Sequence, residues 1–395
     1  MQGKDVGEQL VEAAVARFEV RNFDYIRNLL EETGYDCEWE ELPDGACHAF
    51  FSADAFERAK KVVRELAPDL ARHARIVEDK SELAEFRVPK AIGAIMQRPA
   101  AKLSPYKLIS QLLVGLIKEE GLNLQTNTPV KSLTAEPESD KRGWTVETPR
   151  GTIRARNVLC ATNGYTSHLI PQMETLIVPV RGEMSALKPP AALLERPFTC
   201  SYELIGAVGQ DETLDDYLMQ RPVSEGGQLM FGGGRLLARE EGIDVDDDEK
   251  VDEPVAEYLR SLPAFMDLGF GKEIEPLEAE AEWTGVMGYS RDDLPWIGGV
   301  PGMEGVFLSA GYAGHGMPNG ALSGQHAAEL VVAALKSEGS KGWRDYERHA
   351  VEQGRIPESY VISSERMTAA RQKPRLQPKY RVKWGEEHLA KILGR

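Results

Sequence analysis

Hydrophobic positions in the first part of the chain recur at helical spacing. The strongest repeat covers residues 5–33 and places on one face Leu10, Ala14, Phe18, Tyr25 and Leu29. Gly34 follows the repeat, and glycine commonly ends a helix because it adopts a left-handed conformation at little cost. The pattern therefore predicts a long amphipathic helix over 5–33.

Shorter helical and apolar segments alternate along the rest of the chain. Helices are predicted at 52–66, 104–120 and 254–262, with Ser52 and Ser104 as N-caps. Strands are predicted at 75–78, 91–96, 122–125, from about 128, and at 144–148, 151–154, 158–161, 176–187, 217–220, 228–232 and 278–285. Segments 38–42 and 46–51 flank a Pro-Asp-Gly turn, which predicts a hairpin. The mixture indicates an α/β fold.

Composition and charge narrow the classes of function. The 395 residues carry a net charge of −16, which disfavours nucleic acid as a partner. No apolar run approaches 18 residues, so no membrane span is predicted, and the first ten residues lack the apolar core of a signal peptide. A cytoplasmic location is expected. A peroxisomal one stays open, although the C-terminal Leu-Gly-Arg is not a clear signal.

Cysteine and histidine spacing gives no sign of a metal site. The four cysteines contain no CxxC pair, and the chain contains no HxxxH, P-loop or GxSxG motif. Cys160 lies in an apolar run and is expected to be a core residue. The chain is therefore predicted to hold no metal, and a reducing compartment is the simpler assumption.

A stretch at 306–335 has the order strand, glycine turn, helix. A short apolar run at 306–308 precedes glycines at 311, 314, 316 and 320, and helical spacing resumes near Asn319. A helix N-terminus leaving such a turn carries unpaired N–H groups and partial positive charge, which suit an anion or a polarised carbonyl group. On its own, a turn that merely packs a strand against a helix explains the stretch as well.

Two further segments accompany this stretch, VLCATNGY at 158–165 and YSRDDLPWIG at 289–298. Taken in order, the three segments resemble the superfamily of D-amino-acid oxidase, sarcosine oxidase and glycine oxidase, with the character of the gamma-glutamylputrescine oxidase branch. The resemblance runs from about residue 5 to about residue 336. It implies a small-molecule amine or amino acid as substrate, FAD as cofactor, and oxidation of a C–N bond to the imine.

The same resemblance implies a domain organisation. A Rossmann-like FAD-binding domain would be assembled from 1–36, 100–180 and 297–336. A substrate domain built on a mixed, largely antiparallel sheet would comprise 37–99 and 181–296. Residues 337–395 would form a C-terminal extension.

Site residues also follow from the resemblance. The residues expected to bind FAD are Val130, Ala161, Thr162, Asn163, Gly164, Arg181, Gly298, Ala310, Gly311, Gly314, His315, Gly316 and Met317. Amides at the start of a helix suit the charge of a reduced flavin. For 161–164 the alternative is a polar strand end with an Asx turn.

The catalytic candidates are His315, Arg235 and Arg291. An arginine suits a substrate carboxylate because its planar fork binds both oxygens. A structural histidine and surface salt bridges are the alternative roles for these residues. Trp283, Tyr289 and Trp296 are candidates for the pocket wall or for the core.

The chain departs from the resembled pattern at its N-terminal end. The family carries a strand–turn–helix–strand unit with GxGxxG before the helix predicted at 5–33, and no GxGxxG occurs in this sequence. A fragment, a mis-started gene model and a flavin-free relative acting as a non-catalytic binding module are therefore alternatives to the enzyme. A dehydrogenase that passes electrons to a carrier is another.

The segment 371–383 is strongly basic, with six Lys or Arg in 13 residues. It is expected to be a solvated tail or a strap around the domain, and an anionic docking patch is the alternative.

Overall fold

The computed structural model describes residues 6–136, 143–207, 216–270, 275–336 and 341–378. Its helices are α1 Val6–Thr33, α2 Ala53–Glu65, α3 Pro68–Ala71, α4 Lys80–Glu85, α5 Pro105–Glu119, α6 Thr166–Leu169, α7 Ala191–Glu195, α8 Glu253–Arg260, α9 Gly316–Lys336, α10 Lys341–Glu352 and α11 Ser364–Gln372. Short 3-10 turns at Asn163–Tyr165 and Arg235–Leu237 bear on the site described below.

The strands are β1 Glu40–Glu41, β2 Gly45–Phe50, β3 Ala74–Val77, β4 Gly93–Gln97, β5 Ala101–Lys102, β6 Ser132–Ala135, β7 Trp144–Thr148, β8 Gly151–Ala155, β9 Val158–Cys160, β10 Ile177–Leu187, β11 Cys200–Ile205, β12 Asp216–Gln220, β13 Leu229–Gly232, β14 Ala279–Ser290, β15 Trp296–Gly299 and β16 Val306–Ala310. Helices and mixed sheets together confirm the predicted α/β class.

The largest sheet has eight strands in the order β14-β10-β13-β12-β11-β2-β4-β3. Its neighbours pair antiparallel except β11 and β2, which run parallel. One face is apolar and packs against α8 through a cluster that includes Leu204, Phe231 and Tyr258. Because side chains alternate along each strand, the other face presents a different set of residues.

A second layer lies around a three-stranded sheet in which β16 pairs antiparallel with β15 and parallel with β9. Helices α1 and α9 pack beside it, with Phe18, Ile297, Ala327 and Tyr360 in one apolar cluster. The parallel β9–β16 pair agrees with the return strand predicted at 158–161. Strands β6, β7 and β8 form a separate antiparallel meander.

Several local predictions are confirmed by their capping groups and pairings. Helix α1 ends at Thr33, and Gly34 adopts φ 66° with its N–H donating to Leu30 O at 2.9 Å. Ser52 caps α2 by accepting from the amide of Ala55, and Ser104 caps α5 in the same way. The predicted pairing of 217–220 with 228–232 corresponds to the antiparallel pair β12–β13.

Two predictions are wrong. Segments 38–42 and 46–51 do not form a hairpin, because β1 pairs with β5 while β2 pairs with β4 and with the distant β11. Residues 122–125 are not a strand: Leu122 and Leu124 are exposed, and no strand among the described residues pairs with them. Apolar spacing alone creates no strand where no partner edge is available.

Residues 341–378, which follow α9, pack against this layer. Ile297 and Val361 form a parallel bridge, and Arg366 of α11 pairs with Asp292 at 3.0 Å while stacking over Trp296. Arg371 donates to Gln172 O at 2.5 Å. Arg371 is thereby attached to the rest of the protein, and most of residues 371–378 are exposed, whereas 379–383 of the predicted basic segment lie outside the described residues. The strap, the solvated tail and the docking patch stay predictions.

Candidate active site on the second face of the large sheet

Six residues lie directly opposite one another across the large sheet, one on each of six adjacent strands. The register pairs His48 with Glu203, Glu203 with Tyr217, Tyr217 with Gly232, Gly232 with Met184, and Met184 with Trp283. We call this set the cross-sheet row. Their sequence neighbours Cys47, Tyr202, Leu218 and Phe231 belong to the apolar core on the opposite face. The row therefore lies on the face turned away from that core.

Gly232 lies in the middle of the row, beneath the side chains of Met184 and Tyr217. A Cβ atom at this position would lie 2.3 Å from Met184 Sδ and 2.5 Å from Tyr217 Cζ. Both neighbouring side chains therefore lean over the glycine. Tyr217 itself exposes 49% of its surface, so the outer surface of the row at this point can be reached by a ligand.

Glu203 and His48 form a carboxylate–imidazole pair at one end of the row, through Glu203 Oε2 and His48 Nδ1. Their side chains are 34% and 26% exposed, so both can be reached from the open face. Burial by itself would raise the pKa of Glu203, but the hydrogen bond from His48 and the charges of His48 and His315 lower that pKa below its usual value. The pair is thus an anionic site with a titratable partner.

The loop before α9 lies beside this face. Gly311 and Gly314 adopt φ of 78° and 86°, and Ala313 N donates to Gly288 O of β14 at 2.8 Å. A Cβ atom at Gly314 would lie 3.4 Å from Tyr289 Oη. Gly314, His315 and Met317 are exposed. The start of α9 is therefore fixed against β14 with its surface open.

Helix α1 packs against the N-terminal end of α9 on the side opposite β14 and forms hydrogen bonds with it. Asn22 donates to Met317 O at 3.1 Å and accepts from Leu322 N at 3.0 Å. Asn319 donates to Glu19 at 2.9 Å and to His315 O at 3.0 Å. Burial raises the pKa of Glu19, and the bond from Asn319 and the charge of His315 oppose that rise. His315 therefore lies within electrostatic reach of Glu19 on one side and Glu203 on the other.

Arg235 is a cation without a complete set of partners. Its guanidinium stacks over the ring of Tyr289 at 5.0 Å from the ring centroid. Its Nη1 is buried and has no hydrogen-bond partner among the described residues. An unpaired buried donor of this kind costs free energy unless a ligand satisfies it, so Arg235 is suited to an anionic group.

The turn that carries Arg235 is rigid. Gly233 adopts φ 134°, and a Cβ atom there would lie 2.1 Å from Asp216 Oδ1, so glycine is required. Asp216 accepts from Gly234 N at 2.8 Å and from the hydroxyl of the buried Tyr258. The turn is thereby tied to α8 beneath the sheet.

The predicted segment 161–164 forms a joint between β9, β14 and the glycine loop. Asn163 Oδ1 accepts from Gly311 N at 3.0 Å. A Cβ atom at Gly164 would lie 2.8 Å from Met287 O. Thr162 Oγ1 lies 3.0 Å from Thr166 Oγ1, while Ala161 is exposed. Asn163 Oδ1 thus bonds to a distant segment and not to its own turn, and both the Asx-type alternative and a role for 161–164 in binding FAD stay predictions.

Other predicted site residues have partners within the protein. Arg181 is buried and pairs with Asp252 at 2.5 Å, and Arg291 donates to Lys373 O at 2.6 Å and to Thr175 at 3.3 Å. A Cβ atom at Gly298 would lie 2.6 Å from a carboxylate oxygen of Glu347 in α10. Ala310 is buried opposite Trp296, and Val130 is half-buried before β6. Their assigned roles stay predictions.

The structure adds residues that the sequence did not single out, namely His48, Glu203, Tyr217, Met184 and Gly232. All but Glu203 lie on predicted strands, whereas β11, which carries Glu203, was not predicted; alternation separates each residue from its core neighbours. The residue opposite each one is set by pairing between distant segments, which the chain order does not reveal. Among the described residues, no group of three or more His, Cys, Asp or Glu is placed to hold a metal ion, and no helix has the length and apolarity to cross a membrane.

Comparison with known proteins places this geometry in a family. The sequence model of the FAD dependent oxidoreductase family (DAO) matches residues 4–330. The chain is 26% identical to glycine oxidase of Pseudomonas aeruginosa over 320 residues, which cover 77% of this chain and 74% of that protein.

Solved structures show the same fold. Glycine oxidase from Geobacillus kaustophilus superposes with a TM-score of 0.62 at 20% identity, covering 82% of this chain and 79% of that one. L-proline dehydrogenase from P. horikoshii superposes with a TM-score of 0.59 at 19% identity, covering 86% and 83%. With the match over residues 4–330, these findings confirm the resemblance: this chain belongs to the DAO family of FAD-dependent oxidoreductases.

Proposed function

We propose that this protein oxidises a C–N bond of a small amine or amino acid to the imine, on the open face of the large sheet. The observation that carries the proposal is the buried, unpartnered Nη1 of Arg235 beside Tyr289 and the glycine loop. Relatives named glycine oxidase and L-proline dehydrogenase support a carboxylate-bearing amine as the substrate class.

The residues present fit a flavin at the start of α9. Gly314, His315 and Met317 are exposed there, and a Cβ atom at Gly320 would meet nothing within 4 Å. A helix start with accessible backbone suits the carbonyl and anionic edge of a flavin. When bound, FAD supplies the acceptor for a hydride from the carbon that bears the amine.

The protein's own residues bind and orient the substrate. Arg235, stacked on Tyr289, would hold a carboxylate with a charge-assisted hydrogen bond. Tyr217, Met184 and Trp283 would line the floor beneath the carbon skeleton of the substrate. Tyr289, between Arg235 and Gly314, would keep the bound anion next to the glycine loop.

The test is reduction of the flavin in the absence of oxygen. The protein would be purified with FAD, freed of unbound flavin, and mixed with glycine, sarcosine, L-proline or n-butylamine while flavin absorbance is followed. At least one amine should bleach the flavin. A chain that retains FAD but is reduced by none of them, or retains no FAD, contradicts the proposal and favours the non-catalytic alternative. Repeating the turnover with oxygen and with an artificial acceptor separates an oxidase from a dehydrogenase.

Arg235→Met tests the proposed carboxylate contact. The substitution should raise the substrate concentration for half-maximal reduction by an amino acid about 30-fold or more, because a buried charge contact is lost. Arg239→Met, at an exposed position four residues further on, is the matched control and should leave that concentration unchanged. Equal behaviour of the two variants would remove Arg235 from the site.

A further inference from the structure

We propose that Glu203 and His48 together form the amine site of this face, binding the substrate's ammonium group and accepting its proton before oxidation. This inference rests on the function proposed above and assigns it a proton acceptor. Glu203 provides the negative charge that binds the ammonium group, and the imidazole of His48 is the final acceptor of its proton.

The chemistry requires such a group. Aliphatic amines titrate near pH 10, as lysine does, so they are ammonium ions at neutral pH. An ammonium nitrogen has no lone pair to form the C=N bond as hydride leaves the neighbouring carbon. One N–H bond must therefore break first, and at neutral pH, where little free amine is present in solution, a base near the site can accept its proton.

The geometry supplies this base on the open face. Glu203 and His48 stand at one end of the cross-sheet row, Glu203 directly opposite Tyr217, and both side chains are partly exposed. Glu203 is the one carboxylate in the row, which otherwise contains an imidazole, aromatic rings, a thioether and a glycine. An approaching ammonium group therefore meets a single anion there.

The choice of partner distinguishes this carboxylate from structural ones. Glu38 is buried against Arg221 at 2.6 Å, and Asp292 is held by Arg366 at 3.0 Å. Arginine stays charged at all physiological pH values, so those pairs cannot take up a proton. Histidine can, because its ordinary pKa lies near neutrality.

The proton balance closes within the pair. In this step His48 begins neutral, with its proton on Nε2 and with Nδ1 facing Glu203. The ammonium group transfers one proton to the Glu203 carboxylate, and the resulting carboxylic acid passes that proton to His48 Nδ1. The imidazolium then donates to the restored Glu203 carboxylate, which stabilises it. The substrate nitrogen keeps the electron pair of the broken N–H bond as a lone pair. The pair thus changes from net charge −1 to neutral, while the ammonium becomes a neutral amine.

Other titratable groups face the pair. Tyr217 lies beside Glu203 from β12, and burial raises the pKa of Tyr217, so this residue stays a neutral hydrogen-bonding group. His315 acts on Glu203 from the glycine loop and is itself close to Glu19 of α1.

Two ions of equal shape and opposite charge test the assignment by binding alone. Tert-butylammonium and pivalate have no hydrogen on the carbon that bears the charged group, so neither can be oxidised. Binding to the flavin-loaded protein would be followed by tryptophan fluorescence, to which Trp283 in the row contributes. Glu203→Gln should weaken tert-butylammonium at least ten-fold and leave pivalate unchanged. Arg235→Met should weaken binding of pivalate at least ten-fold and leave binding of tert-butylammonium unchanged.

The controls separate a site effect from a folding effect. Glu65→Gln removes an exposed carboxylate of α2 and should change neither affinity. Glu203→Asp keeps the charge and should restore part of the ammonium affinity. Each variant would be checked by circular dichroism and thermal unfolding. Equal ammonium affinity in wild type and Glu203→Gln, or no ammonium binding by wild type, would overturn the amine site.

The pH dependence of flavin reduction gives a second readout. With the best reductant of the amine panel, Glu203→Gln and His48→Gln should each be about 100-fold slower than wild type at pH 7. The deficit should shrink towards pH 10, where the amine loses its proton in solution. A deficit that is constant across pH would contradict the role as proton acceptor. Charge-selective binding without any flavin reduction would overturn the proposed function but leave the amine site standing.

Discussion

The two faces of the large sheet are made by the same strands and differ in almost every physical property. On the core face, Leu204, Leu218 and Phe231 are each at most 1% exposed to solvent. On the other face, His48, Glu203 and Tyr217 remain between 26% and 49% exposed. Their immediate sequence neighbours form the core, so alternation along the strands separates folding from chemistry in this part of the chain.

Two carboxylates make the contrast sharper. Glu183 on the core face is buried, and burial raises its pKa to about 7 despite the nearby Arg181. Glu203 on the open face has a lowered pKa because His48 and His315 overcome the cost of partial burial. The glutamate side chain is thus stabilised in its neutral form on one face and in its charged form on the other.

The largest expected difference between the faces is in stability. Phe231→Ala removes a fully buried ring from the core cluster and should lower the free energy of unfolding by about 3–5 kcal/mol. Tyr217→Ala, on the open face of the neighbouring strand β12, should lower it by less than about 1 kcal/mol. Chemical denaturation of the two variants measures both changes in the free energy of unfolding. Similar losses would show that the open face is also packed.

The next largest effect is the pH dependence of stability from Glu183. A carboxyl with a raised folded-state pKa contributes stability that is present below its unfolded pKa and is lost as pH rises through about 7. Glu183→Gln should therefore gain about 2 kcal/mol relative to wild type between pH 5 and pH 8. Glu203→Gln should show no such gain, since its lowered pKa favours the charged form. Parallel pH profiles for wild type and Glu183→Gln would refute the assignment.

A smaller effect is expected at the link between the faces. Tyr258 is fully buried and donates to Asp216, which holds the turn before Arg235. Tyr258→Phe should cost about 1.5 kcal/mol because it leaves a buried acceptor with one donor fewer. It should also weaken binding of pivalate by loosening that turn. Unchanged pivalate affinity in a variant of lowered stability would separate the turn from the anion site.

The smallest effect on stability is expected at Gly232. An added Cβ would meet only the ends of Met184 and Tyr217, which can move, so Gly232→Ala should cost less than about 1.5 kcal/mol. It should nevertheless slow flavin reduction about ten-fold, because the displaced Met184 and Tyr217 would misplace the substrate. Gly320→Ala, with open space around its Cβ on α9, tests the flavin side separately. A normal reduction rate in Gly232→Ala would place the substrate elsewhere.

The helices and the core were largely predictable because they depend on local pattern. The repeat from Leu10 to Leu29 defined α1, and Ser52 and Ser104 marked the starts of α2 and α5. These signals involve residues a few positions apart, which a linear sequence displays directly.

The site was predictable only in the glycine loop, where composition itself carries the signal. Glu203 meets His48 because β11 pairs parallel with β2 across more than 150 residues, a pairing that no local pattern contains. The wrong hairpin at 38–51 has the same origin, since β2 takes its partners from far along the chain. Arg235 was recognised as a cation able to bind carboxylate, but its unsatisfied Nη1 emerges only from packing.

The most direct measurement is a crystal structure of the flavin-loaded protein with bound tert-butylammonium. We expect the flavin ring between residues 314–317 and the cross-sheet row, with the ammonium nitrogen within hydrogen-bond distance of Glu203. A flavin bound away from the start of α9, or an ammonium ion bound away from the row, would contradict the claim that this face of the sheet performs the chemistry.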